Sequence, residues 1–193
     1  MAKKEFTGVN VTTPLCRLSF PAVFETKPDL NDKEQYSVVM LFDKKTADLS
    51  KLKAALVQAA KNEFGPDVDL KTLDMKRIID GDTKDREEQK GQWVVRSKTS
   101  ISQPGVVDAN LNKILDPSEI YSGVYALVNV TAKAYTKPKL GVTFYLNHVQ
   151  KVKDGEPLAG GGPAAETVFD ALDIQEDAGP GDVGEAEAEG MFS

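Results

Sequence analysis

Few side chains in this sequence have the types and spacing that catalysis requires. The chain has one histidine, His148, and one cysteine, Cys16. No nucleophile–histidine–acid set is predicted, because the histidine that it would need belongs to an alternating, strand-like segment on its apolar side. A single thiol also excludes an internal disulfide and a zinc site built from several thiolates. His148 lies on the apolar side of an alternating segment, and Cys16 lies in a strand rich in Val and Leu, so both are expected to be structural. We therefore predict neither an enzymatic activity nor a cofactor.

Three aspartates near the middle of the chain, Asp80, Asp82 and Asp85, come closest to a metal-binding pattern. The segment Asp80-Gly81-Asp82 begins like a calcium loop but lacks the third ligand and the glutamate at position twelve. A nuclease would need such carboxylates to hold magnesium. We interpret the segment as a solvated turn, and a cleavage assay with magnesium would test the hydrolase alternative.

A more informative pattern combines aromatic and basic side chains on strand-like segments. Proteins hold single-stranded nucleic acid with cations that follow the phosphates and with aromatic rings on which the bases stack. The candidate DNA-binding residues are Trp93, Arg96, Lys98, Tyr125, Lys133, Tyr135, Lys137, Lys139 and Tyr145. The pattern alone supports a second interpretation equally well, in which Tyr125 and Tyr135 cap the core and the lysines only keep the protein soluble.

The net charge of −6 conceals two segments of opposite sign. Residues 1–153 carry a net charge of +5, whereas residues 154–193 carry −11 and no basic residue. Electrostatic steering depends on local charge, so the acidic pI does not exclude a nucleic-acid ligand for the basic part.

The composition of residues 154–193 predicts a disordered acidic tail. This segment holds eight of the fifteen glycines and three prolines, and it cannot bury enough apolar surface to offset the entropy lost on ordering. Its end resembles a docking peptide, in which charge steers the segment and an apolar tip inserts into a partner. The candidate partner-binding residues are Glu185, Glu187, Glu189, Met191 and Phe192. The alternative is a tail that only improves solubility.

Hydrophobic periodicity predicts one main helix among several strands. The helix covers residues 49–64, with Thr46 as a possible N-cap and Gly65-Pro66 as the stop signal. Residues 24–33 and 67–91 are predicted to be loops, and Asp116 is predicted to cap a short helical turn. The predicted strands cover residues 6–20, 35–42, 93–100, 124–135 and 141–153. One helix cannot supply repeated crossovers, so a small antiparallel barrel is favoured over a parallel sheet.

The sequence also resembles a known family. Residues 104–135, PGVVDANLNKILDPSEIYSGVYALVNVTAKAY, resemble the stretch that typifies phage and prophage single-stranded DNA-binding proteins. Residues 146–161 resemble the end of that family's domain, and FPAVFETK and QYSVVMLFDKK also fit its N-terminal part. The likeness covers most of residues 5–161.

The resemblance implies a mainly β protein: an OB-fold five-stranded antiparallel barrel over residues 1–153, followed by the acidic tail over 154–193. It also implies a protein that coats and protects single-stranded DNA during phage replication or recombination, without reading its sequence. The tail would recruit replication or recombination proteins and compete with DNA, and a homodimer is plausible. Without a signal peptide or a membrane-spanning apolar run, we expect a cytoplasmic location, in the host cell if a phage encodes the chain.

Two features limit what the resemblance implies. Ser193 follows Phe192, whereas tails of the wider class often end on an aromatic residue, so a pocket that grips the terminal carboxylate would fit less well. An acidic-tailed chaperone or protein-interaction module is the alternative function, and it predicts no preference for single strands.

Overall fold

This computed structural model describes residues 6–158. That part of the chain contains eight strands and one α-helix, α1 (Ser50–Phe64). The strands are β1 (Val9–Thr12), β2 (Cys16–Pro28), β3 (Glu34–Asp43), β4 (Ile78–Asp80), β5 (Gln92–Thr99), β6 (Gly105–Val107), β7 (Tyr125–Tyr135) and β8 (Gly141–Lys153). Short 3₁₀ turns occur at Leu70–Thr72, Gly81–Thr83, Glu87–Gln89 and Pro117–Glu119. Most of the predicted acidic tail, from residue 159 onward, lies outside the described residues.

Five strands close into a barrel in the order β2–β3–β5–β8–β7, with β7 pairing back onto β2. This confirms the predicted five-stranded barrel with one main helix. One pairing departs from the expected antiparallel arrangement, because β5 runs parallel to β8. The three short strands extend the sheet: β1 pairs with β7, β4 with β5 and β6 with β8.

Alternating apolar residues fill the inside of the barrel. On β7, Ala126, Val128 and Val130 are fully buried, and Phe144 of β8 packs into the same core. Burying each valine or phenylalanine side chain contributes roughly 1.5–3 kcal/mol. The helix α1 contributes Leu52 and four other buried residues to this core, and it packs against β1, β7 and β8.

The helix ends as predicted but begins differently. Gly65 ends α1 with a φ of +100°, a conformation that suits glycine. The predicted N-cap, Thr46, is wrong, because the helix begins at Ser50 and Leu49 occupies the cap position. The side chain of Asp48 instead accepts a hydrogen bond from the Ser50 N–H at 2.9 Å.

Long-range pairing changes the predicted strand boundaries. Residues 6–20 form two strands rather than one, since the chain breaks around Pro14 and β1 and β2 pair with different parts of β7. The strand β2 continues to Pro28, through half of the predicted loop, because its end pairs with the start of β3 at Glu34. The predicted loop 67–91 contains β4 and three 3₁₀ turns.

The short turn at Asp116 follows the prediction, because this side chain accepts a hydrogen bond from the Ser118 N–H. Within residues 6–158, no helix is long and apolar enough to cross a membrane.

Candidate nucleic-acid interface

A row of paired residues crosses the outside of the barrel from β1 to β3. Asn10 pairs with Thr131, Thr131 with Tyr145, Tyr145 with Lys98, and Lys98 with Ser37. Side chains paired across neighbouring strands point to the same face of a sheet. The exposed Lys98 and the half-buried Tyr145 therefore lie side by side on the outer face of the barrel.

A groove of about 570 Å³ lies at the β7–β8 end of this row. Phe6 and Ile101 line it and leave 67% and 88% of their surface exposed, so the groove presents apolar faces to solvent. The groove residues that concern its chemistry are Phe6, Asn10, Ile101, Lys133, Tyr145 and His148.

Cations lie on both sides of Tyr145. The Lys133 Nζ is 5.8 Å from the centre of the Phe6 ring, within cation–π range. The Lys98 Nζ lies 3.6 Å from an Asp29 carboxylate oxygen, and its side chain is 58% exposed. Among residues 6–158, the exposed Arg96 and Lys133 form no ion pair. These positive charges are therefore available to a polyanion.

Neutral amides form the polar part of the groove. The Asn147 Nδ2 donates to Oδ1 of Asn10 at 3.0 Å, to Oδ1 of Asn129 at 2.9 Å and to Oγ1 of Thr131 at 2.9 Å. The Asn129 Nδ2 donates in turn to Thr12 Oγ1 at 3.0 Å. This network links β1, β7 and β8 without adding a negative charge that would repel phosphate.

A bulge in β8 reverses the predicted orientation of His148. The pairing of β7 with β8 shifts by one residue at Asn147, so Val149 is buried and His148 is exposed. The prediction that His148 lies on the apolar side of the strand is therefore wrong. Its Nδ1 accepts a hydrogen bond from the Gly105 N–H at 3.1 Å, which joins β6 to β8 beside the groove.

The predicted site residue Trp93 lies apart from the groove. It packs against the core, whereas Lys98 projects from the opposite face of β5, as strand alternation requires. The Lys44 Nζ is 5.0 Å from the centre of the Trp93 ring. A cation of the protein itself therefore already contacts this ring.

The same lysine binds two of the three aspartates that were considered as metal ligands. Lys44 forms ion pairs with Asp80 and with Asp82, the second at 2.5 Å. Hydrogen bonding to Lys44 is the main cause that lowers the pKa of Asp80, and the Gly91 N–H is the main cause for Asp82. Among the described residues, no three His, Cys, Asp or Glu side chains could together hold a metal ion.

Tyr125 is the first residue of β7, and residues that follow β8 cover it. The Arg17 guanidinium is 5.8 Å and the Lys153 Nζ 4.8 Å from the ring centre. Gly155 packs so close to the ring that an added Cβ would lie 2.8 Å from a ring carbon. Tyr135 lies ten residues further along β7, about 30 Å away in an extended strand, so the two rings belong to different surfaces.

Tyr135 is tied to the fold by its hydroxyl. It donates to Asp74 Oδ2 at 2.7 Å, and Arg77 contacts the same hydroxyl and carboxylate. The hydrogen bond from Tyr135 is the largest cause that lowers the pKa of Asp74 to about 2. Lys139 lies 3.3 Å from Asp74, while Lys137 is exposed at the turn before β8.

The structure thus brings together Lys98, Lys133 and Tyr145 among the predicted site residues, with Arg96 nearby on β5. Sequence reasoning missed Phe6 and Ile101, because an apolar residue in or beside a β-branched run is typical of a core position. Flat rings, exposed cations and neutral amides in one groove can hold a flexible polyanion that carries planar groups.

Comparison with known proteins agrees with this chemistry. Residues 9–179 match the family model described as Enterobacter phage Enc34, ssDNA-binding protein, so the chain belongs to that family. The family is one of binding proteins, not of enzymes. A curated relative, protein p50 of Acyrthosiphon pisum secondary endosymbiont phage 1, is 28% identical over 177 residues, which is 83% of this chain and 92% of p50.

Solved structures share the fold. The single-stranded DNA-binding protein of bacteriophage Enc34, in complex with single-stranded DNA, is 24% identical with a TM-score of 0.64. The match covers 82% of this chain and 97% of that one. Gp2.5, a single-stranded DNA-binding protein of bacteriophage T7, is 20% identical with a TM-score of 0.53, over 91% of this chain and all of that one.

Proposed function

We propose that this chain binds single-stranded DNA along the row from Lys133 through Tyr145 to Lys98. The observation that carries the proposal is the pairing of Lys98 with Tyr145, next to a groove with a second ring, Phe6. Phosphates would lie over Lys98, Lys133 and Arg96 while a base stacks on Tyr145. Family membership and the Enc34 complex with DNA support the same ligand.

The proposed contacts predict binding without sequence preference. Lysine and arginine contact phosphates, which carry no sequence information. Every base has a face that can stack on a ring, so stacking tolerates any sequence. We therefore propose that the protein coats and protects single strands during phage DNA replication and recombination, in the host cytoplasm.

A paired substitution tests where the DNA binds. Tyr145→Ala removes the ring in the groove, whereas Tyr135→Phe changes a tyrosine of the same sheet whose hydroxyl is held by Asp74. We expect weaker binding of oligothymidine from the first variant and unchanged binding from the second. Unchanged binding by Tyr145→Ala would place the interface elsewhere on the barrel.

We propose that residues 154–193 act as an acidic segment that competes with DNA and recruits replication or recombination proteins. Charge supports this proposal, since the −11 of this segment complements the +5 of residues 1–153. The candidate partner-binding residues are Glu185, Glu187, Glu189, Met191 and Phe192. A second copy of the chain is the further partner that the resemblance implies.

A truncation that tests the tail should end after Leu158. Residues 154–158 lie against the barrel, where Tyr121 contacts Asp154 at 3.1 Å and the Leu158 N–H donates to the Ser122 carbonyl at 2.9 Å. We expect the chain ending at Leu158 to bind DNA more tightly than the full chain at low salt. A full-length chain in which Glu185, Glu187 and Glu189 are replaced by glutamine is the control for charge. Equal affinity of all three proteins would exclude competition by the tail.

A further inference from the structure

Phe20 has a backbone conformation that is rare for an aromatic residue. Its φ is +47°, in the left-handed region that favours glycine, and half of its surface is exposed. Such a conformation costs free energy and is often found at functional sites. Neither the barrel core nor the groove described above uses this ring.

The surrounding sheet holds Phe20 in place. The pairing of β2 with β3 is irregular between Ser19 and Ala22, both of which are buried. Phe20 therefore lies in a bulge, and its N–H donates to Ser122 Oγ at 2.9 Å. The bulge leaves a large apolar ring half-exposed to solvent, while Ser19 and Ala22 on either side of it are buried.

Arg86 covers part of this ring. The centre of its guanidinium lies 4.7 Å from the ring centroid, which is a close cation–π contact. Arg86 belongs to the connection between β4 and β5, and its side chain is 55% exposed. Its ion-pair partner Glu88 is 3.7 Å away, so the guanidinium can still bind a phosphate.

The bulge that carries Phe20 is linked through β3 to the strand that carries the cations of the proposed DNA path. Ser19 and Ala22, which flank the bulge, pair with Val39 and Ser37 of β3. Those two residues pair in turn with Arg96 and Lys98 of β5. Phe20 is thus about two strand spacings, or about 10 Å, from the cations that continue to Tyr145.

We propose that Phe20 and Arg86 form a second nucleotide subsite for single-stranded DNA, beyond Lys98 on the path that begins at Lys133. A base stacks on the exposed Phe20 ring, and Arg86 binds an adjacent phosphate. The subsite rests on the proposed function and extends it, because it sets how many nucleotides one protein covers. An oligonucleotide too short to reach across β3 occupies only the Tyr145 groove.

Oligonucleotide length separates the two subsites. We would measure the affinity of the full chain for oligothymidines from about 4 to about 16 nucleotides, the range of site sizes seen for OB folds. The variant Phe20→Gly removes the ring and suits the left-handed backbone, so it retains the fold. Leu115→Gly, at a site that is 82% exposed and does not line the groove, is the matched control.

For Phe20→Gly we expect affinity for the longest strands to fall about 5- to 150-fold, the loss of one stacked base. Affinity for the shortest strands should not change. Arg86→Ala should lower the salt dependence of long-strand binding by about 0.7 in log–log slope, with Lys51→Ala on α1 as the charge control. Equal losses at all lengths, or no loss at any length, would overturn the second subsite. Failure of the unchanged protein to bind any strand would overturn the proposed function itself.

Discussion

Lys98 of β5 and Tyr145 of β8 are register partners in the one parallel pairing among the five strands of the closed barrel. Closure itself places a cation next to an aromatic ring on the outer face. These residues are 47 positions apart in the sequence, so the interface exists only in the folded barrel. Binding of a single strand should therefore be lost together with the fold.

Replacing Tyr145 with alanine should weaken binding of oligothymidine about 5- to 150-fold, which corresponds to the loss of one base stacked on an aromatic ring. Tyr145→Phe keeps the ring and should bind like the unchanged protein, because among the described residues the Tyr145 hydroxyl has no hydrogen-bond partner. Fluorescence anisotropy measures both affinities. Equal weakening by both variants would show that the hydroxyl, and not the ring, makes the contact.

Replacing Lys133 with alanine should change how binding responds to salt. If Lys133 neutralises one phosphate, the slope of log affinity against log salt should become shallower by about 0.7. Lys71→Ala, in the exposed 3₁₀ turn after α1, removes an equal charge outside the row and should leave the slope unchanged. A shallower slope from Lys71→Ala alone would move the DNA path to that surface.

Tyr135 is expected to stabilise the fold rather than to stack on a base. Tyr135→Phe removes its hydrogen bond to the Asp74 carboxylate and should lower the free energy of unfolding by about 1.5–3 kcal/mol, as for hydrogen bonds to charged groups. Urea unfolding measures the loss, and DNA affinity should remain near that of the unchanged protein. A fall in affinity with unchanged stability would instead support the sequence-based assignment of Tyr135 to the DNA site.

The same contact predicts a dependence of stability on pH. The pKa of Asp74 falls from 3.8 to about 2 in the folded chain, so the folded state binds fewer protons than the unfolded state in this range. The stabilisation is complete above the unfolded value and is lost as pH falls from about 4 toward 2. Asp74→Asn should be less stable at neutral pH and should lose less stability across that interval. Identical acid unfolding of both proteins would assign the effect to other carboxylates.

The local sequence was sufficient to predict those elements in which the hydrophobic periodicity and the residues at the ends indicate the same structure. Alternating residue types predicted a strand over residues 141–153, and β8 (Gly141–Lys153) has both ends as predicted. Gly65 and the apolar spacing before it predicted the end of α1. The barrel followed from the number of strands relative to helices.

Contacts distant in sequence determined what the pattern could not predict. The bulge at Asn147 reverses the side on which His148 lies, and no local signal marks it. Asp74 lies 61 positions from Tyr135, so the sequence could not show that this ring has a structural partner. The exposure of Phe6 and Phe20 depends on the sheet edge and the bulge at which they lie, so aromatic character alone could not reveal it.

The most direct test of the central claim compares one single strand with one duplex. Fluorescence anisotropy would follow the full chain binding to labelled oligothymidine and to a duplex of equal length, each at two or more salt concentrations. We predict preferential binding of the single strand, weakening with salt by a log–log slope of about 0.7 for each phosphate neutralised. Equal binding of both forms, or no binding of either, would contradict a groove built for unpaired bases and would favour a protein-interaction module.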